Sequence, residues 1–397
     1  MTRFVSSKIM VTGLSVVSSL GCDVEALASS LRAQRRGFTF DHRFGAYTSG
    51  ALGTIAPKVS ADVCADVFGD SARRLGDFDV AGLRVLTKCL DSLAASSGVF
   101  ERHAPSRIGL YLGTSNSGVD SLLEDGKWRP ADALEHALRS LFPLRGPSFT
   151  FCTACSSAAH ALAQGALALA AGEVDAVVAG GVDLLNGMAV CGFESLQILD
   201  SAACRPFHMS RAGVTLAEGG ALLLLEGASA ATRGRAFGSL AGYGCSSDAH
   251  HITHPDPSGE GMRLAMERAL MHAGVSSSQI GYVNAHGTGT RANDAAEALA
   301  IRSLFGSKAA VSSTKGLHGH VLGSAGALEA AVSLLALREG VRWAGAPIDD
   351  ETYEPGVRIL QRPEACDLRY VVSNSFGFGG NNVSLVFASE GEANRAV

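Results

Sequence analysis

The stretch FCTACSSAAHALAQGALALAAG, Phe151–Gly172, decides how this chain is read. It places Cys155 at the seam between a strand end and a helix built of small apolar residues. RIGLYLGTS upstream and DAVVAGGVD downstream are short apolar runs punctuated by glycine, and GGALLLLEG adds another. Strand, buried helix, strand is the rhythm of an α/β fold with a largely covered sheet. A helix beginning at Ser156 or Ser157 aims its free N–H groups and the positive end of its dipole at Cys155. That favours the thiolate, which is the nucleophilic form. The same amides can hold an oxyanion on an attacked thioester. Taken alone, however, the stretch is read first as a small buried cysteine at a tight junction.

The second half repeats the design. QIGYVNAHGTGT is a strand running into a glycine-rich turn, and DAAEALAIRSLFG is an amphipathic helix closed by glycine. AAVSSTKG is a strand and SAGALEAAVSLLALREG a long apolar helix. YVVSNSFGFGGNNVSLVFA reads as a hairpin pivoting on Gly377, Gly379 and Gly380. ACSSAAHALAQGALALAAG and GHVLGSAGALEAAVSLLALREG share one plan: a reactive residue, a small-residue helix start, then an apolar helix. We expect two duplicated α/β halves, residues 1–236 and 237–397, with the helix starts face to face about a pseudo-twofold axis.

The chain has 397 residues, 47% of them hydrophobic and 18% charged, enough to bury a large core. A formal net charge of −5 argues against nucleic acid as the main partner. Nine cysteines, an odd count without a CxxC pair, suit free thiols in a reducing cytoplasm. The N-terminal MTRFVSSKIMVTGLSVVSSLGC mimics a secretory leader, but Ser15, Ser18 and Ser19 dilute it, and KIMVTGLSVVSSLG reads as a strand and loop. No apolar run approaches the roughly 18 residues of a membrane span. The C-terminal EGEANRAV is expected to fray.

His286 stands in NAHGTGT, on a turn after an apolar strand, placed for acid, base or hydrogen-bond work. Thr288 and Thr290 beside it can bond a polar ligand. In SSTKGLHGHVLGSAGALE, His320 precedes a helix start and Lys315 lies upstream after a strand. Glu329 falls inside an apolar helix pattern, where a buried carboxylate needs a partner. His318 would point away from His320 in an extended loop. Turn histidines and loop lysines without a role are common, so none of these signals is specific alone. HHITH offers His250, His251 and His254, and HGH two more histidines. No cysteine or carboxylate stands at zinc-ligand spacing beside them, and no metal is expected.

Together, TACSS, NAHGTGT, SSTKGLHGH and SNSFGFGGNN, in this order and spacing, resemble the β-ketoacyl-acyl carrier protein synthases. These are the elongating condensing enzymes of the thiolase fold. The resemblance runs from IMVTGLSVVSSLG to VSLVF, nearly the whole chain. It implies a layered α-β-α-β-α core and a decarboxylative Claisen condensation between malonyl-acyl carrier protein and an acyl group held on Cys155. His286 and His320 match the histidine pair that promotes decarboxylation and stabilises the enolate. Lys315 matches the supporting lysine and Glu329 the buried glutamate. Thr288 and Thr290 match the threonines that hold the pantetheine arm. Phe378 matches a gating phenylalanine whose N–H completes an oxyanion hole with that of Cys155, and Phe376 would pack beside it. Arg73 and Arg74 match the basic pair that docks the acidic carrier protein.

Elementary chemistry agrees with that assignment. Losing carbon dioxide supplies a carbon nucleophile at neutral pH without a strong base, and two imidazole N–H groups can hold the enolate oxygen. The waiting acyl group must be a covalent thioester, which requires cysteine. No metal or redox cofactor is implied. The expected partners are an acyl carrier protein and a second subunit, either another copy or a ketosynthase-like chain in a heterodimer.

Several residues depart from the family pattern. His208 stands where an aspartate is usual, Ala217 where a glycine is usual, and Gly76 where an aspartate is frequent. Both His208 and Ala217 put the local loop geometry in question. The region from Gly118 to Leu141, which in the family helps build the subunit contact and the acyl tunnel wall, reads as shortened. These departures suggest a specialised acyl chain, such as a polyene or polyketide intermediate. Two alternatives fit less well. Non-catalytic chain-length partners lack the nucleophile. Thiolases use a second cysteine late in the chain, whereas Cys366 lies outside any recognisable turn motif.

Overall fold

The computed structural model describes residues 8–39, 41–46, 48, 50–54, 81–116, 119, 126, 129–228, 236–348 and 352–395. Its strands in chain order are β1 (Ile9–Ser18), β2 (Ile108–Gly113), β3 (Ser148–Phe151), β4 (Ala176–Asp183), β5 (Gly219–Gly227), β6 (Gly238–Ser247), β7 (Ile280–Asn284) and β8 (Ala310–Ser312). They continue with β9 (Val341–Arg342), β10 (Arg358–Ile359), β11 (Glu364–Ala365), β12 (Tyr370–Gly377) and β13 (Asn381–Ala388). Eleven of them form one sheet in the order β10-β8-β7-β12-β13-β6-β1-β5-β4-β2-β3, while β9 and β11 pair separately.

The sheet shows the duplication. From the centre outward, the first half runs β1-β5-β4-β2-β3, with two antiparallel pairings followed by two parallel ones. The second runs β6-β13-β12-β7-β8 in the same sense, and β10 adds an edge strand. The halves meet where β1 pairs β6 over Ile9–Leu240, Met10–Ser239 and Val11–Gly238. Strands such as β4 (AVVAGGVD) are buried along their whole length, which explains their continuous apolar sequence.

Two helices lie between the half-sheets. Ser157–Ala170 packs on β2 and β4 and reaches β13, and Ala325–Glu339 packs on β12 and β5 and against the first helix. Both are apolar nearly all round, as a helix covered on every side must be. Their small residues set the spacing. A Cβ on Gly113 would stand 2.2 Å from Ala158 N, and one on Gly326 2.7 Å from Ala159 N. Outer helices cover the other faces: Ala81–Ser97 on β1 and β5, and Glu260–Ala273 on β6 and β13. The result is the expected α-β-α-β-α layering.

Two local expectations change. The helix after NAHGTGT begins at Arg291, ahead of Asp294, because Thr290 is still extended and Asp294 turns inward to bond Gly289 N and Phe207 N. The C-terminal segment expected to fray forms a helical turn, Glu390–Arg395, entered through a bond from Ser389 N to Arg369 O. Among the described residues, no helix is long and apolar enough to cross a membrane.

Candidate active site

Four segments converge from the C-terminal ends of parallel strands, where open α/β sheets place their ligands. Cys155 follows β3, His286 follows β7, Lys315 and His320 follow β8, and Phe376 and Phe378 close β12. The two central helices open alike, each through a single 3-10 turn. Ala154 and Leu322 both take a left-handed φ of 50° at these starts, a conformation unusual for residues with a side chain. Asp183, at the end of β4, ties the second of these starts to the segment that follows β2. It accepts from Thr114 Oγ1 at 2.7 Å, Ser115 N at 2.9 Å and Gly323 N at 2.6 Å. The motifs did not single out Asp183.

Cys155 Sγ lies 2.9 Å from His320 Nε2. The His286 and His320 rings are 5.4 Å apart and nearly perpendicular. Lys315 is wholly buried, paired with the buried Glu329 carboxylate, and donates to His286 O at 2.6 Å. Its Nζ also sits 3.3 Å from His286 Nδ1. An ammonium only donates, so Nδ1 accepts and the proton of neutral His286 rests on Nε2. His320 Nδ1 finds no partner among the described residues. A lone pair is cheaper to leave unmet there than an N–H, so His320 also carries its proton on Nε2.

Burial keeps both imidazoles neutral. It drives His286 and His320 well below the ordinary histidine range, and the Lys315 charge adds to the effect. Burial pushes the Cys155 thiol up to about 12. Lys315 and the backbone N–H groups of Phe378 and Cys155 pull the other way. Those two amides beside the sulfur are the geometry of an oxyanion hole. Burial raises Glu329 to about 7 against the pull of Lys315.

A second carboxylate, missed by the motif reading, supports the His286 turn. Glu297 accepts from His286 N and Gly287 N, each at 2.8 Å, and from Asn374 Nδ2 at 3.1 Å. Its signal in the sequence was a glutamate on the buried face of the Arg291–Phe305 helix. Phe376 packs on His286 at 6.1 Å between ring centres. The ring stacked on Phe378, at 5.7 Å, is Phe193, where Phe376 was expected. Cys155, His286, His320, Phe376 and Phe378 line one cavity of about 450 Å³, together with Thr288 and Thr290, whose hydroxyls are 3.0 Å apart.

Other candidates fall elsewhere. His318 is buried and bonds Thr314 Oγ1 and Gly319 O, away from the cavity. Cys366 is half-buried beyond β11 and is not among the residues lining the cavity. Arg73, Arg74 and Gly76 lie outside the described residues, as does most of 118–128; the described part of the region from Gly118 to Leu141 includes a helix, Ala133–Leu141. The loop at Ala217 is regular: Leu216 bridges His320 and Ala217 N bonds His320 O at 2.9 Å. His208 is buried, accepts from Ser210 N at 3.1 Å and meets the Tyr353 ring edge-on. Of the HHITH histidines, His254 reaches the cavity wall. The described residues contain one cluster with metal-ligand spacing, Cys155, His286 and His320, with donor atoms within 4.8 Å of one another. The buried Lys315 charge beside it disfavours a cation there.

Comparison with known proteins gives the same result. The N-terminal domain model of the beta-ketoacyl synthases matches residues 6–231 and the C-terminal domain model residues 237–345. The 3-oxoacyl-[acyl-carrier-protein] synthase 2 of Coxiella burnetii is 32% identical, with 96% of this chain and 98% of that protein covered. The mitochondrial 3-oxoacyl-[acyl-carrier-protein] synthase of Arabidopsis thaliana is 33% identical, with 98% and 96% covered. Among solved structures, the ketosynthase ApeO in complex with its chain length factor ApeC from Xenorhabdus doucetiae superimposes with a TM-score of 0.85 at 31% identity, covering 96% of this chain and 98% of that one. The ishigamide ketosynthase/chain length factor gives 0.83 at 29% identity, covering 97% and 99%. With both domain models matched and a Cys–His–His centre assembled from both halves, this chain belongs to the beta-ketoacyl synthase family.

Proposed function

We propose that this β-ketoacyl synthase joins an acyl group held on Cys155 to a malonyl unit delivered by an acyl carrier protein. The observation that carries the reading is the 2.9 Å approach of Cys155 Sγ to His320 Nε2, with His286 beside them in one cavity. In the first half-reaction the Cys155 sulfur attacks the incoming thioester, the bond to the pantetheine sulfur breaks, and the thiol proton leaves with the departing pantetheine thiol. The N–H groups of Cys155 and Phe378 hold the oxyanion.

In the second half-reaction the malonyl carboxylate leaves as carbon dioxide. The enolate oxygen receives the Nε2–H groups of His286 and His320. The enolate carbon then attacks the Cys155 thioester, giving a β-ketoacyl chain on the carrier and freeing the cysteine, with one proton taken up overall. Lys315 fixes the His286 tautomer and Glu329 balances its charge. Thr288 and Thr290 are placed to bond the pantetheine amides. Neither half-reaction changes an oxidation state or calls for a metal or redox cofactor.

The solved ketosynthase–chain length factor pairs support a finer reading, an active subunit of such a pair in specialised polyene or polyketide elongation. The intact Cys155, His286 and His320 fit the catalytic member. We place the chain in the cytoplasm, in keeping with the unbridged cysteines among the described residues.

Incubation with acyl-loaded carrier protein followed by mass mapping tests the core reading. We expect the acyl mass on the Cys155 peptide and none in Cys155→Ala; an adduct elsewhere, or none, would overturn it. Strict preference for saturated over polyene acyl carriers would defeat the specialised reading.

A further inference from the structure

We propose that Arg291 binds the phosphate of a phosphopantetheine arm at the mouth of the Cys155 cavity and so selects thioesters delivered on that arm. The inference rests on the condensing-enzyme reading above and adds the residue that recognises the far end of the substrate carrier.

One chain segment forms a graded wall from the reacting sulfur to solvent. His286 is 1% exposed and Thr288 8%, Thr290 is half-buried and Arg291 exposed. All four line the cavity, and Arg291 is the one lysine or arginine among the described residues that do. A pantetheine arm carries a thiol at one end, two amides along its length and a phosphate at the other end. With the thiol at Cys155 and the amides beside the threonine hydroxyls, the phosphate emerges where this wall becomes exposed. A guanidinium there presents a planar fork matched to phosphate oxygens.

The backbone under Arg291 is fixed, whereas its side chain is uncommitted. Arg211 donates to Thr290 O at 3.3 Å and to Arg291 O at 3.1 Å. Neighbouring arginines have carboxylate partners: Arg211 with Glu354, Arg263 with Glu260, and Arg205 with Asp200. The Arg291 side chain makes no hydrogen bond or ion pair with a described residue. Asp248, the acid that lines the cavity, is engaged by Asn382 Nδ2 at 2.6 Å and Asp256 N at 3.1 Å and makes no ion pair with Arg291.

The test measures kcat/KM for Cys155 acylation by acyl-phosphopantetheine and acyl-pantetheine, which differ by the phosphate alone. Acyl carrier protein and acyl-coenzyme A serve as the two sources of the arm. We expect the wild type to prefer the phosphorylated donor, and Arg291→Ala to reduce that preference about tenfold, with Arg291→Lys intermediate. Carrier and coenzyme A, which both bear a phosphate at that end of the arm, should both show the loss. An unchanged preference in Arg291→Ala, or a loss confined to carrier-borne substrate, overturns the proposal; the latter would assign Arg291 to the carrier surface. Failure of wild-type Cys155 to accept an acyl group from any of the four donors would instead overturn the condensing-enzyme reading.

Discussion

Lys315, Glu329, His286 and His320 are buried side by side, and each sets the state of the next. The ammonium pairs with the carboxylate and occupies His286 Nδ1, so the His286 proton rests on Nε2. His318 lies behind them and reports the same burial. Burial lowers its pKa to about 3, the Lys315 charge adding and the bond to Gly319 O opposing. An unfolded histidine titrates near 6.5, so between about pH 6.5 and 3 the unfolded chain binds a proton that the folded chain does not. The contribution of a neutral His318 is therefore present above pH 6.5 and lost as the pH falls. Relative to His318→Gln, the wild-type unfolding free energy should decline by about 1.4 kcal/mol per pH unit in that window. Urea unfolding at pH 6.5, 5.5 and 4.5 measures it; parallel curves for the two proteins would refute the assignment.

At the scale of elements, the site depends on how closely the two central helices pass. Gly326 leaves room for Ala159, whose backbone N stands 2.7 Å from where a Cβ would lie, with Ser375 Oγ at 3.0 Å. Backbone cannot yield as a flexible side chain does. Gly326→Ala should cost about 1–3 kcal/mol, seen as a lower midpoint in thermal melts. The same push separates the Cys155 start from the His320 start, so acylation of Cys155 should slow in step. A variant with wild-type stability and rate would show that the helices have slack.

Across the whole molecule, the sheet ends at β3, which among the described residues pairs only with β2. Phe149 on that edge is 54% exposed and stacks loosely on Tyr111 at 5.6 Å. A sheet edge with an exposed aromatic ring is a surface for strand pairing with another subunit. We expect the chain to sediment as a dimer, alone or with a ketosynthase-like partner, and Phe149→Asp to shift it toward monomer. A wild-type monomer at all concentrations, with no partner required for activity, would contradict this.

The sequence by itself determined the α/β class and the duplication, which are written locally, and singled out the candidate cysteine and histidines through four motifs taken together. Apolar runs name strands, small-residue runs name helices that must pass close to other backbone, and TACSS, NAHGTGT and SSTKGLHGH place reactive side chains at strand ends. Tertiary structure decided the rest. It paired Phe193 with Phe378, assigned Glu297 to hold the His286 turn, and made Asp183 the clamp between Ser115 and Gly323. Two of these contacts join residues far apart in the chain, and a carboxylate in a helix or at a strand end carries no local mark of the donors that will surround it. The protonation states of Cys155, His286 and His320 follow from burial beside one lysine, and Cys155 joins that group only once both halves close on each other.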